Sequence, residues 1–506
     1  MQNSPTGSDT PQLATGKPIS LMKETKPIAL FWFRRDLRLE DNAGLWHALK
    51  SGWPVLPVFI LDTEILDNLE DRSDRRVTFI IGALNELGRK IAATGSALHV
   101  YHGTPEAVFR KILDVYRVKA VYANCDYEPY ATGRDTRIAS LLESRGVTFH
   151  AFKDQVIFEK SEVAKSDGRP YTVFTPYSRA WKRKLTLPDT ESFPSEKLAG
   201  NFLKREDTAT SGGGMTAAGL LPQGKDPRSI GMEHYPAGNT GIEEASIISG
   251  PGSIGENLFA PEDIGFISTS SESPVPVIDI EIIRNYHRTR DFPALQGTTR
   301  LGVHLRFGTV SIRNLVRTAL ELSETWLNEL IWREFFMSIL WHFPHVTDNS
   351  LKRKYDNLTW RNNEKEFERW CNGMTGYPIV DAGMRELNAT GFMHNRVRMI
   401  TASFLTKHLL TDWRWGEAYF AGKLLDYELS SNNGNWQWAA GTGCDAAPYF
   451  RVFNPAEQTR KFDPDLTYVR RWVPEMDTRS YPAPVVDHAA ARKRALETYA
   501  AGLGRD

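Results

Sequence analysis

Residues 28–42 read Ile-Ala-Leu-Phe-Trp-Phe-Arg-Arg-Asp-Leu-Arg-Leu-Glu-Asp-Asn, and they decide the fold of the N-terminal part. The short apolar run with aromatics, 28–33, is a strand signal, and a polar, arginine-rich segment follows it at once. Further apolar runs lie at 54–61, 98–101, 118–122 and 147–152. Helical patterns fall between them. In 76–93, for example, Phe79, Ile80, Leu84, Leu87 and Ile91 recur at helical spacing. Strands alternating with helices predict a Rossmann-like α/β domain with a parallel sheet covered on both faces. Ligands of such sheets sit at the carboxyl ends of the strands. Arg34-Arg35-Asp36-Leu37-Arg38 and the segment 124–130 fall there. No GxGxxG follows the first strand, so a dinucleotide clasp of the usual kind is not predicted.

Working outward, 506 residues are enough for two or more domains. Lys plus Arg and Asp plus Glu both number 62, so the chain is no polycation, and any nucleic-acid contact must come from a local basic patch. Cys125, Cys371 and Cys444 are too scattered for a disulfide framework or a metal site, and they point to a reducing cytoplasm. No stretch approaches the roughly 18 apolar residues of a membrane span. Residues 1–26 are polar, without the apolar core of a signal peptide, and read as a disordered extension. The α/β domain is expected over 27–160 and an interdomain linker over 161–277. Within that linker, 206–277 holds Gly212-Gly213-Gly214, many Ser, Thr and Pro, and little periodicity. From 278 to 506 the patterns are helical, at 327–341, 380–387, 395–410 and 415–425, with no strand predicted beyond Pro293. This half is expected to be an all-α domain large enough to enclose a cofactor.

That half is rich in tryptophan: Trp326, Trp332, Trp341, Trp360, Trp370, Trp413, Trp415, Trp436 and Trp438. Trp436 and Trp438 follow Asn432-Asn433-Gly434-Asn435, read as a turn. Tryptophan fills cores, stacks on flat ligands and is readily oxidised. Gly297-Thr298-Thr299-Arg300-Leu301-Gly302 offers hydroxyls and amides to a phosphate, or simply caps a helix. Glu329, Trp332 and Arg333 share one helix face. They suit a base edge, a stacked ring and a phosphate, or else form an amphipathic helix with a Glu329–Arg333 pair. In His394-Asn395-Arg396-Val397-Arg398-Met399 two arginines begin a helix, although the dipole favours cations at the other end. They predict an anionic ligand or a carboxylate partner such as Asp426, or else a solvated helix start.

Several longer motifs carry a resemblance. Trp332–Phe335, Thr375–Ala382, Met393–Met399, Asn432–Gly443 and Asp445-Ala446-Ala447-Pro448-Tyr449-Phe450-Arg451 resemble the photolyase/cryptochrome family, as does Phe33–Asn42. Within it the chain is most similar to class I cyclobutane pyrimidine dimer photolyases. The match spans most of the chain, leaving out the first 26 residues and the linker. It implies an α/β antenna domain plus a large all-α FAD-binding domain. The implied activity is blue-light-driven repair of pyrimidine dimers in DNA, a carbon–carbon lyase reaction driven by electron transfer from reduced FAD. A blue-light receptor (cryptochrome) and a (6-4) photolyase are the alternatives. The implied FAD contacts are Tyr286, Thr298, Thr299, Arg300, Leu301, Gly302, Trp326, Arg333, Asn395, Arg398, Asp426, Glu428 and Asn432, with Asn432 at flavin N5. The implied dimer and DNA contacts are Glu329, Trp332, Asn395, Arg396, Met399, Trp438 and Arg451, with Arg460 and Lys461 nearby. Trp360, Trp413 and Trp436 match the family's electron-transferring tryptophans. A second antenna chromophore, folate or deazaflavin, would bind near Asn124, Glu128 and Arg34-Arg35-Asp36. The expected protein is a cytoplasmic, monomeric flavoprotein with no metal and no membrane segment. Two departures from the family pattern stand out: Asn435 where many members have Gly, and Gly302 where Ser is common.

Overall fold

The computed structural model describes residues 26–205, 246–249, 259–269, 274–446 and 448–504. Almost all of the predicted 1–26 extension and most of 206–277 lie outside the described residues. The five predicted strands are present: β1 Ile28–Phe33, β2 Val55–Asp62, β3 His99–Gly103, β4 Val118–Asn124 and β5 Thr148–Phe152. They pair in parallel, in the order β5-β4-β1-β2-β3. β1 and β2 are buried along their whole length. Alternate residues of β1 feed two cores. Ala29, Phe31 and Phe33 join Leu84, Leu87 and Ile91 of the Arg75–Ala92 helix on one face. Leu30 and Trp32 join Val108, Phe109 and Ile138 on the other. A run without alternation is what a strand covered on both sides requires.

The sheet differs from the expected one at its edge. β6, Ser246–Ser249, adds to β3 in the antiparallel sense. Other parts of the stretch read as linker also belong to the cores. The Phe174–Lys184 helix buries Tyr177 and Trp181 with the Glu324–His342 helix, and Phe259 and Phe266 join the core of the sheet. Short pieces of this kind carry too little periodicity to be read from sequence.

The C-terminal half is helical among the described residues. Glu324–His342, Pro378–Thr390, Asn395–Ser403 and Trp413–Lys423 follow the predicted patterns, and a π-helix, Phe404–Leu409, continues the third of them. The expected Asn/Gly turn is not a turn: Asn432, Asn433 and Gly434 lie inside the Leu429–Ala440 helix. A Cβ on Gly434 would lie 2.2 Å from the Phe336 ring, so close helix packing, not a turn, is what uses this glycine. No helix among the described residues is long and apolar enough to cross a membrane.

Candidate cofactor and substrate cleft

A cleft holding about 590 Å³ of empty space, part of it open to solvent, lies in the helical half. The Leu429–Ala440 helix supplies Ser431, Asn432, Asn435, Trp436, Trp438 and Ala439 to it, and the Asn395–Ser403 helix supplies Asn395, Arg398, Met399 and Ala402. Phe420, Leu424, Asp426, Tyr427 and Glu428 complete the lining. Asn395, Arg398, Met399, Asp426, Glu428, Asn432, Trp436 and Trp438 were all singled out from sequence, and the fold brings them together.

The predicted partner of Arg398 is present. Its Nη2 donates to both oxygens of Asp426, at 3.1 and 2.9 Å. A Cβ at Gly302 would lie 2.8 Å from Asp426 Oδ2, so the glycine is where this carboxylate packs against the 302 backbone. The start of the Gly302–Phe307 helix carries no side-chain cap, so the capping alternative for 297–302 is not realised. The amides of Thr298, Thr299 and Leu301 make no hydrogen bond with the described residues. Arg300 stands at φ 53° with its guanidinium 4.4 Å from the Phe392 ring centre.

Asn432 Nδ2 donates to Glu417 Oε1 at 2.8 Å and to the Glu417 carbonyl at 3.0 Å. Asn432 lines the cleft, and its Oδ1 has no hydrogen bond with the described residues. Asn435 is exposed and bonds back to the Ser431 carbonyl at 2.8 Å, so its side chain adds a polar rim without filling the interior.

Glu428 ties the cleft to the sheet. Its Oε1 accepts from Arg35 and from Arg333, at 2.5 and 3.1 Å. Burial alone would push this carboxyl up, yet Arg333 and Arg35 hold it below the usual range. Arg333 also donates to the Gln155 carbonyl at 2.7 Å. The Glu329–Arg333 pair is therefore not formed. Glu329 pairs instead with Arg290, which lies over the Tyr286 ring at 5.2 Å. Burial pushes the Glu329 carboxyl up, with Arg290 acting against it. Arg290 was missed from sequence, although it stands one helical turn after Tyr286.

Other predicted contacts sit outside the lining. Trp326 is buried in the adjoining apolar cluster, against which Tyr286 packs. Trp332 stacks on Phe174 at 3.7 Å, and the Phe336 ring lies 5.4 Å away. Arg396 donates to Asp291 at 2.6 Å and its guanidinium lies 4.3 Å from the Phe462 ring centre. His394 is the buried N-cap, its Nδ1 accepting from the Arg396 amide. Burial pushes its imidazole down to about 4, so the ring is neutral. Arg451 is exposed beside Phe450, Arg460 pairs with Glu457, and the Lys461 ammonium lies 5.1 Å from the Phe462 ring centre.

At the switch point of the sheet, the groups expected to meet a second chromophore are engaged within the protein. Asn124 Nδ2 donates to Asp36 and Asn42, and its Oδ1 accepts from the Gly44 amide. Arg34 pairs with Asp135, Arg35 with Asp126, and Glu128 with Arg35 and Arg306. These contacts hold the loop in place at the carboxyl ends of the strands.

A parallel sheet joined to a helical half that opens a polar, indole-lined cleft defines a cofactor-binding protein of mixed α/β and α architecture. The sequence pattern described as DNA photolyase matches residues 29–196, and that described as the FAD binding domain of DNA photolyase matches 326–480. A deoxyribodipyrimidine photo-lyase of Synechococcus sp. is 34% identical over 93% of this chain and 96% of its own length. An archaeal photolyase from Sulfolobus tokodaii, solved with two FAD molecules, superposes with TM-score 0.74 at 34% identity, over 93% of this chain and 99% of that one. A class III photolyase from Agrobacterium tumefaciens gives 0.75 at 30% identity, over 96% and 99%. The chain belongs to the DNA photolyase family.

The family's FAD fits the residues present. An isoalloxazine edge carries hydrogen-bond donors and acceptors together. The cleft offers it the free Oδ1 of Asn432, the Arg398 guanidinium and two carboxylates between aromatic walls.

Proposed function

We propose that this chain is a light-driven DNA photolyase that splits cyclobutane pyrimidine dimers, working as a monomer in the cytoplasm. The observation that carries the reading is the single Leu429–Ala440 helix. It supplies Asn432, Trp436 and Trp438 to the lining of one cleft. Reduced FAD, when bound, supplies the photoexcited electron that opens the cyclobutane ring and then returns. Asn432 would accept a hydrogen bond from the cofactor through its Oδ1, with its amide held by Glu417. Asn395, Arg398, Asp426 and Glu428 hold the cofactor, together with Tyr286, Thr298, Thr299, Arg300, Leu301, Gly302, Trp326 and Arg333.

The extruded dimer lies against Met399 and Trp438, with Trp332 stiffened by its stack on Phe174. Glu329 bonds the base edge from its pair with Arg290. Flipping costs a few kcal/mol and least for a damaged, poorly stacked pair, which supplies part of the selectivity. Arg396 and Arg451 hold backbone phosphates. Trp436, Trp413 and Trp360 return electrons to oxidised flavin from the surface. Three cysteines free of disulfides suit a reducing compartment.

The test is to illuminate purified, chemically reduced protein with DNA carrying a defined cyclobutane dimer and, separately, a (6-4) lesion. Restored pyrimidines from the first substrate are expected. Repair of the (6-4) lesion alone, or of neither, overturns the reading. Glu329→Ala should remove a charge-assisted hydrogen bond of roughly 1.5–3 kcal/mol. That corresponds to about a ten- to hundred-fold loss in repair efficiency. Flavin content should stay unchanged, and loss of flavin would move Glu329 into the cofactor shell. Affinity for damaged DNA should fall with salt, and Arg451→Ala should flatten the log–log salt slope by about 1. An unaltered slope removes Arg451 from the phosphate contacts.

A further inference from the structure

Arg35 starts from the sheet and ends in the helical half. Its loop follows β1 and is held against the turn after the Gly302–Phe307 helix. The Leu37 amide donates to the Phe307 carbonyl at 3.1 Å, and Arg38 Nη1 donates to the Gly308 carbonyl at 3.0 Å. Gly308 stands at φ 65°, and a Cβ there would collide with the Arg35 carbonyl, so the loop approaches as closely as glycine allows. From this mount all three nitrogens of the Arg35 guanidinium are engaged. Nε donates to the Arg306 carbonyl at 3.1 Å, Nη1 to Asp126 at 3.1 Å and Glu128 at 3.2 Å, and Nη2 to Glu428 at 2.5 Å.

Glu428 carries this network into the cleft, which it lines. Its Oε1 is shared by Arg35 and Arg333, and its Oε2 accepts from the Ser431 hydroxyl at 3.2 Å. Arg306 closes the network by pairing with Glu128. Three guanidiniums, of Arg35, Arg306 and Arg333, thus face three carboxylates, of Asp126, Glu128 and Glu428. The side chains of Arg35 and Glu428 are 10% and 6% exposed, so water screens this balance poorly.

We infer that Arg35 is a positioning residue of the flavin site: it fixes Glu428 in the cleft wall and balances the carboxylate charge there. The inference rests on the reading of Glu428 as a contact of the bound cofactor. Reduced flavin gains negative charge on its ring, and a carboxylate in excess beside the cleft disfavours that gain. With Arg35 removed, two guanidiniums would face three carboxylates. Glu428 would keep Arg333 but lose its shorter ion pair, and with it the tie to the sheet. Reduction of the bound flavin should then become harder.

The experiment uses the FAD-loaded full chain and titrates its flavin against a redox dye. Mildly alkaline pH keeps carboxylates released from Arg35 ionised. Arg35→Gln should shift the flavin potential to a more negative value. Arg35→Lys keeps the charge without the planar fork and should stay near the original potential, even if it melts at a lower temperature. Arg35→Gln/Glu128→Gln equalises the charges again and should recover much of the shift. Glu428→Gln, with one carboxylate fewer, should shift the potential the other way. A purely structural role of Arg35 predicts a lower melting temperature in Arg35→Gln with no shift, and that result overturns the inference. An equal shift in Arg35→Lys overturns it too. If Arg35→Gln holds no flavin, Arg35→Lys decides: flavin retained at the original potential supports the inference, and an empty protein overturns it. No change of potential or flavin content in Glu428→Gln overturns the reading of Glu428 together with the inference. A change there with none in Arg35→Gln overturns the inference alone.

Discussion

Trp436→Phe is expected to abolish light-driven reduction of bound flavin while leaving dimer splitting by chemically reduced protein near its original rate. The proposed electron route begins at this indole, which lines the cleft and touches Trp370 and Phe420. A phenyl ring fills most of the same space but is far harder to oxidise. The electron that splits a dimer comes from flavin already reduced, so it needs no relay through the protein interior. The substitution also leaves Asn432, Met399 and Trp438 in place. The stability cost should stay below the roughly 3–5 kcal/mol of truncating a buried tryptophan to alanine. Photoreduction and repair are measured on the same preparation, the second after dithionite treatment. Equal loss of both would mean that the variant damages the cleft and not the electron route.

Glu334→Ala is expected to destabilise the protein by about 3–5 kcal/mol, because it leaves buried donors unpaired. Glu334 is 4% exposed. It accepts from the amides of Ile157 and Phe158 at 2.9 and 3.0 Å, and from Trp181 Nε1 at 2.6 Å. These contacts fasten the helix of Glu329, Trp332 and Arg333 to the segment leaving the sheet. Burial pushes the Glu334 carboxyl up to about 7, from an ordinary value of 4.5. The folded protein therefore holds this proton more tightly than the unfolded chain. The associated stability is fully present below the ordinary value and is lost as pH rises toward about 7. Denaturant unfolding across that window should show stability falling with pH. Glu334→Gln, which cannot titrate, should flatten the fall. A slope unchanged in Glu334→Gln assigns it to other groups.

Much of the architecture was legible because its signals are local. The apolar run 28–33 matches β1 residue for residue, and the periodicity of 380–387 lies within the Pro378–Thr390 helix. The pairing of Arg398 with Asp426 was also legible, since two arginines at a helix start call for a carboxylate. Other readings failed where packing overrides propensity. Asn432-Asn433-Gly434 is turn-like by composition, yet the chain continues as helix because Phe336 fills the space a side chain would need. β6 is only four residues long, Ser-Ile-Ile-Ser, too short to show a period, and its pairing with β3 makes it a strand.

By itself, then, the sequence determined the alternation of strands and helices, the family and the short segment that carries Asn432, Trp436 and Trp438. Periods of two and 3.6 residues and long motifs are written in neighbouring positions. Only the tertiary structure decided that Arg35 reaches Glu428 across 393 residues, that Glu329 pairs with Arg290 instead of Arg333, and that Trp370 lies against Trp436. Those contacts depend on how separate helices and the sheet pack, which no local period encodes.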